Sequence, residues 1–256
     1  MLSYQHLYHA GNQADIHKHA TLAVLLRKMA EKDKPMSYLE SHAGRGVYDL
    51  NAPESAKTGE AAAGIEAFLK SGKAPEEHPY ISLITRMRRE ISPSVYPGSP
   101  FIAEALLRPT DTIHLMELHP REYDALYRMM RYPNVHLHKR DGFEGVPALC
   151  PPTPARGIVF TDPSYEDKTD YATTARFVLK LHRKWATGVI AVWYPILKDN
   201  PHFDLTKPLS EAGLPKFFQS EVLFKKPATA LIGSGMIIVN TPFGTEDEMA
   251  EIKGWL

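Results

Sequence analysis

From Thr112 onward the chain alternates between short apolar runs and helical repeats, and this alternation limits the fold more than any other feature of the sequence. Strands are expected at 112–117, 135–140, 157–162 and 188–194, with helices at 120–131, 143–149, 169–185 and 203–212. Strands separated by helices pair in parallel, because each helix carries the chain back across the sheet. The last two runs, 217–224 and 231–240, have no helix between them and are expected as an antiparallel pair at one edge. Upstream, 15–30 reads as an amphipathic helix, with Ile16, Ala20, Ala23, Val24 and Leu26 near helical spacing. The run 36–40 reads as a buried strand ending in a glycine turn.

The segment from Tyr48 to Tyr96 breaks the rhythm. It carries Pro53, Pro75, Pro79 and Pro93 and helical patches near 59–70 and 80–91, with no alternating strand pattern. We therefore expect an α/β chain with a mostly parallel sheet, forming one domain over 1–256, with 48–96 as a helical insertion after the first strand and outside the cofactor pocket. Gly98-Ser99-Pro100 then opens a helix through Leu107, with proline suited to its first turn.

Composition narrows the function. Lys and Arg total 30 and balance 30 Asp and Glu, so nucleic acid would have to be met by a local patch rather than a global field. Arg86, Arg88 and Arg89 on the insertion are the candidate patch, against the plainer reading of a solvated helix face. The single cysteine, Cys150, forms no intramolecular disulfide and no cysteine-rich zinc site. The polar, His-rich N-terminus has no signal-peptide pattern, and no run is apolar for long enough to span a bilayer. A cytoplasmic monomer without a membrane partner is expected. There is no H-E-x-x-H and no carboxylate at ligand spacing, so no metal is expected either.

Doubly wound sheets bind ligands beyond the carboxyl ends of their strands. Four strand ends stand out. The first is Glu40-Ser-His-Ala-Gly44-Arg-Gly46, whose glycines allow close backbone approach, although the third glycine of a dinucleotide fingerprint is missing. The second is Glu117, in the usual position of a ribose clamp. The third is Asp141-Gly142, which suits either an adenine contact or a helix N-cap. The fourth and most specific is Ile158-Val-Phe-Thr-Asp162-Pro163-Ser164-Tyr165. Here an Asp carboxylate and a Pro carbonyl can accept both hydrogens of an aromatic amine, and Tyr165 can stack on a base that is single-stranded or flipped out.

Asp162-Pro163-Ser164-Tyr165 resembles the Asp-Pro-Pro-Tyr motif of amino methyltransferases, with serine at 164 where proline is usual. The motifs Tyr4-Gln-His6, Lys18-His19, His42-Ala-Gly44, Tyr96-Pro-Gly98-Ser99-Pro100 and Trp193-Tyr194-Pro195 extend the likeness. Nearly end to end, the sequence resembles the RlmJ-type family of bacterial 23S rRNA adenine-N6 methyltransferases. The resemblance implies a Rossmann-like fold, S-adenosylmethionine as cofactor and 23S rRNA as partner. It places cofactor contacts on His19, His42, Ser99, Glu117, Asp141 and Gly142, catalysis on Asp162 with Pro163 and Tyr165, and the target adenine near Tyr4, His6 and Lys18. Asp-Pro-x-Tyr also serves DNA-adenine and protein-glutamine methyltransferases. Serine at 164 leaves open a methyltransferase fold that binds RNA without turnover.

Overall fold

A computed structural model describes residues 6–225 and 230–256. Its centre is a seven-stranded sheet. From one edge, the order is β5 (Val135–His138), β4 (Thr112–Met116), β1 (Ser37–Glu40), β6 (Gly157–Thr161), β7 (Val189–Leu197), β9 (Leu231–Val239) and β8 (Phe218–Leu223). The first five run parallel; β9 is antiparallel to both β7 and β8. This is the expected Rossmann-like arrangement, with the consecutive last strands on one edge and β9 as the inner member of the pair.

Strand residues alternate between two apolar layers, as a sheet covered on both faces requires. On β1, Tyr38 faces one layer and Leu39 the other; on β6, Phe160 and Val159 divide in the same way. The first layer takes α1 (Gln13–Ala30), α4 (Pro79–Glu90), α5 (Ser99–Leu106) and α6 (Pro120–Met129). The second takes α7 (Gly142–Leu149), α8 (Thr169–Lys184) and α9 (Phe203–Glu211). A short α10 (Glu246–Glu251) and a 3-10 turn, Ile252–Trp255, close the chain against the first layer, and neither was expected from the sequence.

Two expectations need correction. Helix α1 is not amphipathic in the ordinary sense, since every residue from Ala14 to Leu26 is buried. It packs on α5, α4 and β9 at once, so its polar residues Asp15, His17, Lys18 and His19 must be paired internally. Nor is the segment after β1 purely helical. It begins and ends on an antiparallel pair, β2 (Val47–Asp49) and β3 (Val95–Pro97), with Tyr48 directly opposite Tyr96. The helices α2 (Pro53–Thr58), α3 (Ala67–Ser71) and α4 lie between, with a π-helical turn at Ala62–Glu66. Two three-residue strands, one of mixed burial and one wholly buried, carry too short a pattern to be seen in sequence.

The π-helical turn seats this segment on the start of α1. Ile65 N–H donates to Gly11 O at 2.8 Å, and a Cβ on Gly64 would lie 2.1 Å from the same oxygen. No side chain fits there without moving backbone. Gly64→Ala is therefore expected to lower stability by about 1–3 kcal/mol, the range of an overpacked interior, measured as a drop in the urea midpoint. An unchanged midpoint would show that the segment is not clamped to α1 at this point.

Candidate active site

The parallel register brings the chemically interesting strand ends side by side. Glu40 on β1 lies opposite Leu115 on β4 and Phe160 on β6, so His42, Glu117 and Asp162 follow at one level. They open onto a cavity of about 460 Å³, within the ordinary range for small-molecule sites. One continuous wall runs from Glu117 through Asp141 and His42 to Asp162 and Trp193.

At the Asp162 end the wall is an ionic chain. The Lys18 ammonium donates to Asp162 Oδ2 at 2.7 Å and lies 2.8 Å from Asp15 Oδ1. Lys18 and Asp15 are only 3% and 1% exposed. Burial would depress the Lys18 ammonium, but the two carboxylates outweigh it and hold its pKa above the ordinary value. Asp15 Oδ2 accepts from His6 Nε2 at 2.9 Å and from Gly11 N–H at 2.8 Å. Burial opposes the charge on Asp15 too, yet the surrounding His6, Lys18 and His19 hold its carboxyl well below the usual range. Asp162, Lys18 and His6 thus meet in one network on the cavity wall, while Tyr4 lies outside the described residues.

At the other end, Glu117 is held by backbone donors. Gly44 N–H donates to Oε2 at 2.8 Å and His119 N–H to Oε1 at 2.7 Å, which fixes the carboxylate against the cavity. Asp141 caps α7, accepting from Phe143 N–H at 2.7 Å, and also lines the cavity. Gly142 admits no side chain, because a Cβ would lie 1.9 Å from Ser41 O. His42 pairs with Ser41 Oγ at 2.8 Å, and burial lowers its pKa to about 4, leaving a neutral ring at pH 7. His19 is 2.9 Å from the Tyr96 hydroxyl, which in turn meets Tyr80 at 2.9 Å. Ser99 lines the cavity but donates its hydroxyl to Glu40, rather than offering only the helix terminus.

Several expectations change. Tyr165 does not present its ring to the cavity. It is 5% exposed, packs at 4.5 Å on Tyr171, and donates its hydroxyl to Trp193 O at 2.8 Å. Trp193, named from the sequence only as part of a family motif, lines the wall instead, as do Tyr48 and Phe143. Tyr165 also has φ +52°, an unusual region for a residue with a Cβ, costing about 1–3 kcal/mol that its burial must offset. Its anchoring holds the loop without the second proline, and Ser164 stands exposed at the cavity edge. The segment 48–96 also reaches the cavity, where Tyr48 and Glu60 form part of the lining. Glu60 accepts from His9 Nδ1 at 2.9 Å and Asn12 Nδ2 at 3.0 Å, tying the segment to the cap of α1. Arg86, Arg88 and Arg89 do not form one free patch, because Arg88 is turned inward to Glu66.

Sequence reading missed Asp15, Glu60 and the role of Glu40. Asp15 and Lys18 carried a signal, an acid and a base one helical turn apart at the start of a helix that continues in a long apolar run. Glu40 is fully buried, with Tyr38 and Ser99 donating to its two oxygens. Burial pushes its carboxyl from 4.5 up to about 8, and the nearby Asp162 charge adds to this against those hydrogen bonds and Lys18. A folded-state pKa above the unfolded one means the favourable contribution is complete below pH 4.5 and is lost as pH rises through about 8. Glu40→Gln removes that titration. The variant is expected to gain stability relative to the parent between pH 6 and pH 8.5, followed by urea unfolding. Parallel stability profiles would show that Glu40 does not titrate in this window.

The comparisons with known proteins agree with the geometry. The family model described as "Ribosomal RNA large subunit methyltransferase D, RlmJ" matches residues 33–256. The protein called ribosomal RNA large subunit methyltransferase J in Escherichia coli strain K12 is 36% identical over 260 residues, covering 100% of this chain and 93% of that protein. Its namesake in Haemophilus influenzae is also 36% identical, with the same coverage. A crystal structure of the Legionella pneumophila protein LPL1258 superposes with a TM-score of 0.87 at 35% identity, covering 96% of this chain and 92% of the other. The family model over most of the chain and the full-length likeness at 36% identity lead to one conclusion: this chain belongs to the RlmJ family of ribosomal RNA large subunit methyltransferases.

Proposed function

We propose that this chain transfers the methyl group of S-adenosylmethionine to the exocyclic N6 of one adenine in 23S rRNA, with the base unpaired or flipped out of its helix. The observation that carries the reading is the buried Asp15–Lys18–Asp162 chain at the end of a cavity whose other end offers a fixed carboxylate.

The residues present fit the cofactor. Glu117, locked by two backbone donors, suits the two ribose hydroxyls. Asp141 and the start of α7 suit the adenine edge, and His42, His19 and Ser99 complete the wall. When bound, S-adenosylmethionine supplies an activated sulfonium methyl.

The protein's own task is to position the acceptor. An aromatic amine is a weak nucleophile because its lone pair is delocalised into the ring. Lys18 holds Asp162 Oδ2, which fixes the carboxylate and leaves Oδ1 for one N6 hydrogen. The Pro163 carbonyl accepts the other. Both acceptors favour a pyramidal nitrogen and stabilise the positive charge that develops on it. Asp162 then takes the proton, which becomes acidic only after the nitrogen has been alkylated. Trp193 supplies the stacking face for the base, with the Lys18 ammonium 5.1 Å from its ring centroid. Tyr165 acts from behind the wall, as a positioning residue that holds the Trp193 backbone. The reaction takes place in the cytoplasm on a single copy of the chain.

Two variants test the halves of the site separately. Asp162→Asn keeps an oxygen near N6 but loses the charge, so single-turnover methylation of a 23S rRNA hairpin is expected to slow by about 10²–10³ with little change in binding. Wild-type turnover by Asp162→Asn would remove Asp162 from catalysis. Glu117→Ala is expected to weaken S-adenosylmethionine binding by roughly 10- to 150-fold in calorimetry, the effect of losing about 1.5–3 kcal/mol. An unchanged dissociation constant would place the cofactor elsewhere.

A further inference from the structure

A column of rings and cations on α6 takes no part in the cavity described above. Tyr123, Tyr127 and Arg131 recur at a spacing of four and so share one face of the helix and its end. The two tyrosine rings stack with centroids 6.4 Å apart. The Arg131 guanidinium lies 5.0 Å from the Tyr127 ring, and the Lys139 ammonium, just past β5, lies 5.5 Å from the Tyr123 ring. Two aromatic faces are thus closed by a cation at each end.

The column borders an open groove of about 460 Å³ between α6 and β5, the edge strand of the sheet. Tyr127 is 52% exposed. Arg121 and Arg128 on α6 and Arg140 after β5 are also exposed, though they do not line the groove itself. Among the described residues, Arg121, Arg128, Arg131, Lys139 and Arg140 form no ion pair, whereas Arg45, Arg88 and Arg108 are each matched to a carboxylate. Of the two acidic residues flanking Tyr123, Glu122 is buried and engaged by Arg45, while Asp124 is exposed and offsets one of these five positive charges. In a chain whose net charge is zero, this is a local surplus of positive charge interleaved with aromatic faces.

That combination matches unpaired RNA, whose bases expose faces for stacking and whose phosphates need cations. A duplex hides its base faces and would use only the charges. The groove is also continuous with the active site in sequence, since Lys139 and Arg140 lead directly into Asp141 on the cavity wall. We propose that the α6–β5 groove holds a single-stranded segment of the same RNA that delivers the target adenine, one base replacing the Arg131 guanidinium on the Tyr127 ring while Arg131 and Lys139 turn to its phosphates. The proposal rests on the reading of RNA as the substrate and adds a second contact that sets affinity rather than chemistry.

The test uses the full chain, a labelled 23S rRNA fragment with unpaired flanks, and a trimmed hairpin that keeps only the target loop. Tyr127→Ala is expected to weaken binding of the long fragment by about tenfold, the loss of one stacked base. Arg131→Glu is expected to reduce the slope of log affinity against log salt by at least about 0.7, the single-strand value for one phosphate contact. Binding of the trimmed hairpin and of S-adenosylmethionine, and the saturated methylation rate, stay at the parent values. Parent-like affinity and salt slope for the long fragment in both variants would overturn the groove proposal alone. So would variants that leave RNA binding intact but abolish self-association, which would make the face a protein contact. Failure of the parent chain to bind either RNA would overturn both this proposal and the assignment of an RNA substrate.

Discussion

The buried Lys18 ammonium between Asp15 and Asp162 is the interaction on which the rest of the site depends. It joins the middle of α1 to the end of β6 across residues distant in sequence. Removing the Lys18 ammonium would leave the Asp15 carboxylate buried without its ion-pair partner, at a cost of about 3–5 kcal/mol. The arrangement therefore demands that α1 be walled in on every side and that its start be firmly held. The π-helical turn against Gly11 and the hydrogen bonds from His9 and Asn12 to Glu60 meet that demand. The segment between β1 and α5 thus completes the site by fixing the helix that carries Lys18, and it contributes Tyr48 and Glu60 to the cavity directly.

The two ends of the cavity are built on different principles. The Glu117 end follows from the sheet itself, because parallel strands present backbone donors and helix starts at one edge. Glu117 and Asp141 are oriented by N–H groups of Gly44, His119 and Phe143, none of which depends on α1. The Asp162 end is ionic and needs a separate helix. Such a division suits a reaction in which one ligand is shared by many enzymes and the other is particular to this one.

Much of this was legible in the sequence, for reasons that can be traced. The strands β4, β5, β6 and β7 and their helices have strong patterns, and the fold rules place their carboxyl ends together. Glu117, Asp141, Gly142 and Asp162 could therefore be found by position alone. The long-range pairings could not. Nothing local says that Asp15 meets Lys18 and Asp162, that Glu60 reaches back to Asn12, or that Glu40 is sealed between Tyr38 and Ser99. The exchange of roles between Tyr165 and Trp193 has the same origin. A tyrosine after Asp-Pro invites a stacking assignment, but its positive φ and the hydroxyl bond to Trp193 O turn it inward and leave the indole on the wall. The strands β2 and β3 escaped because three residues are too few to show a period.

The most direct measurement is the chemical identity of the product. Purified protein, S-adenosylmethionine and unmodified 23S rRNA would be incubated, and the RNA digested and mapped nucleoside by nucleoside by mass spectrometry. An adenine amine held between Asp162 and Pro163 yields one N6-methyladenosine at a single position. A methyl group on a ribose 2′-oxygen or a ring nitrogen, or label transferred to DNA or protein while the rRNA stays unmodified, would contradict it.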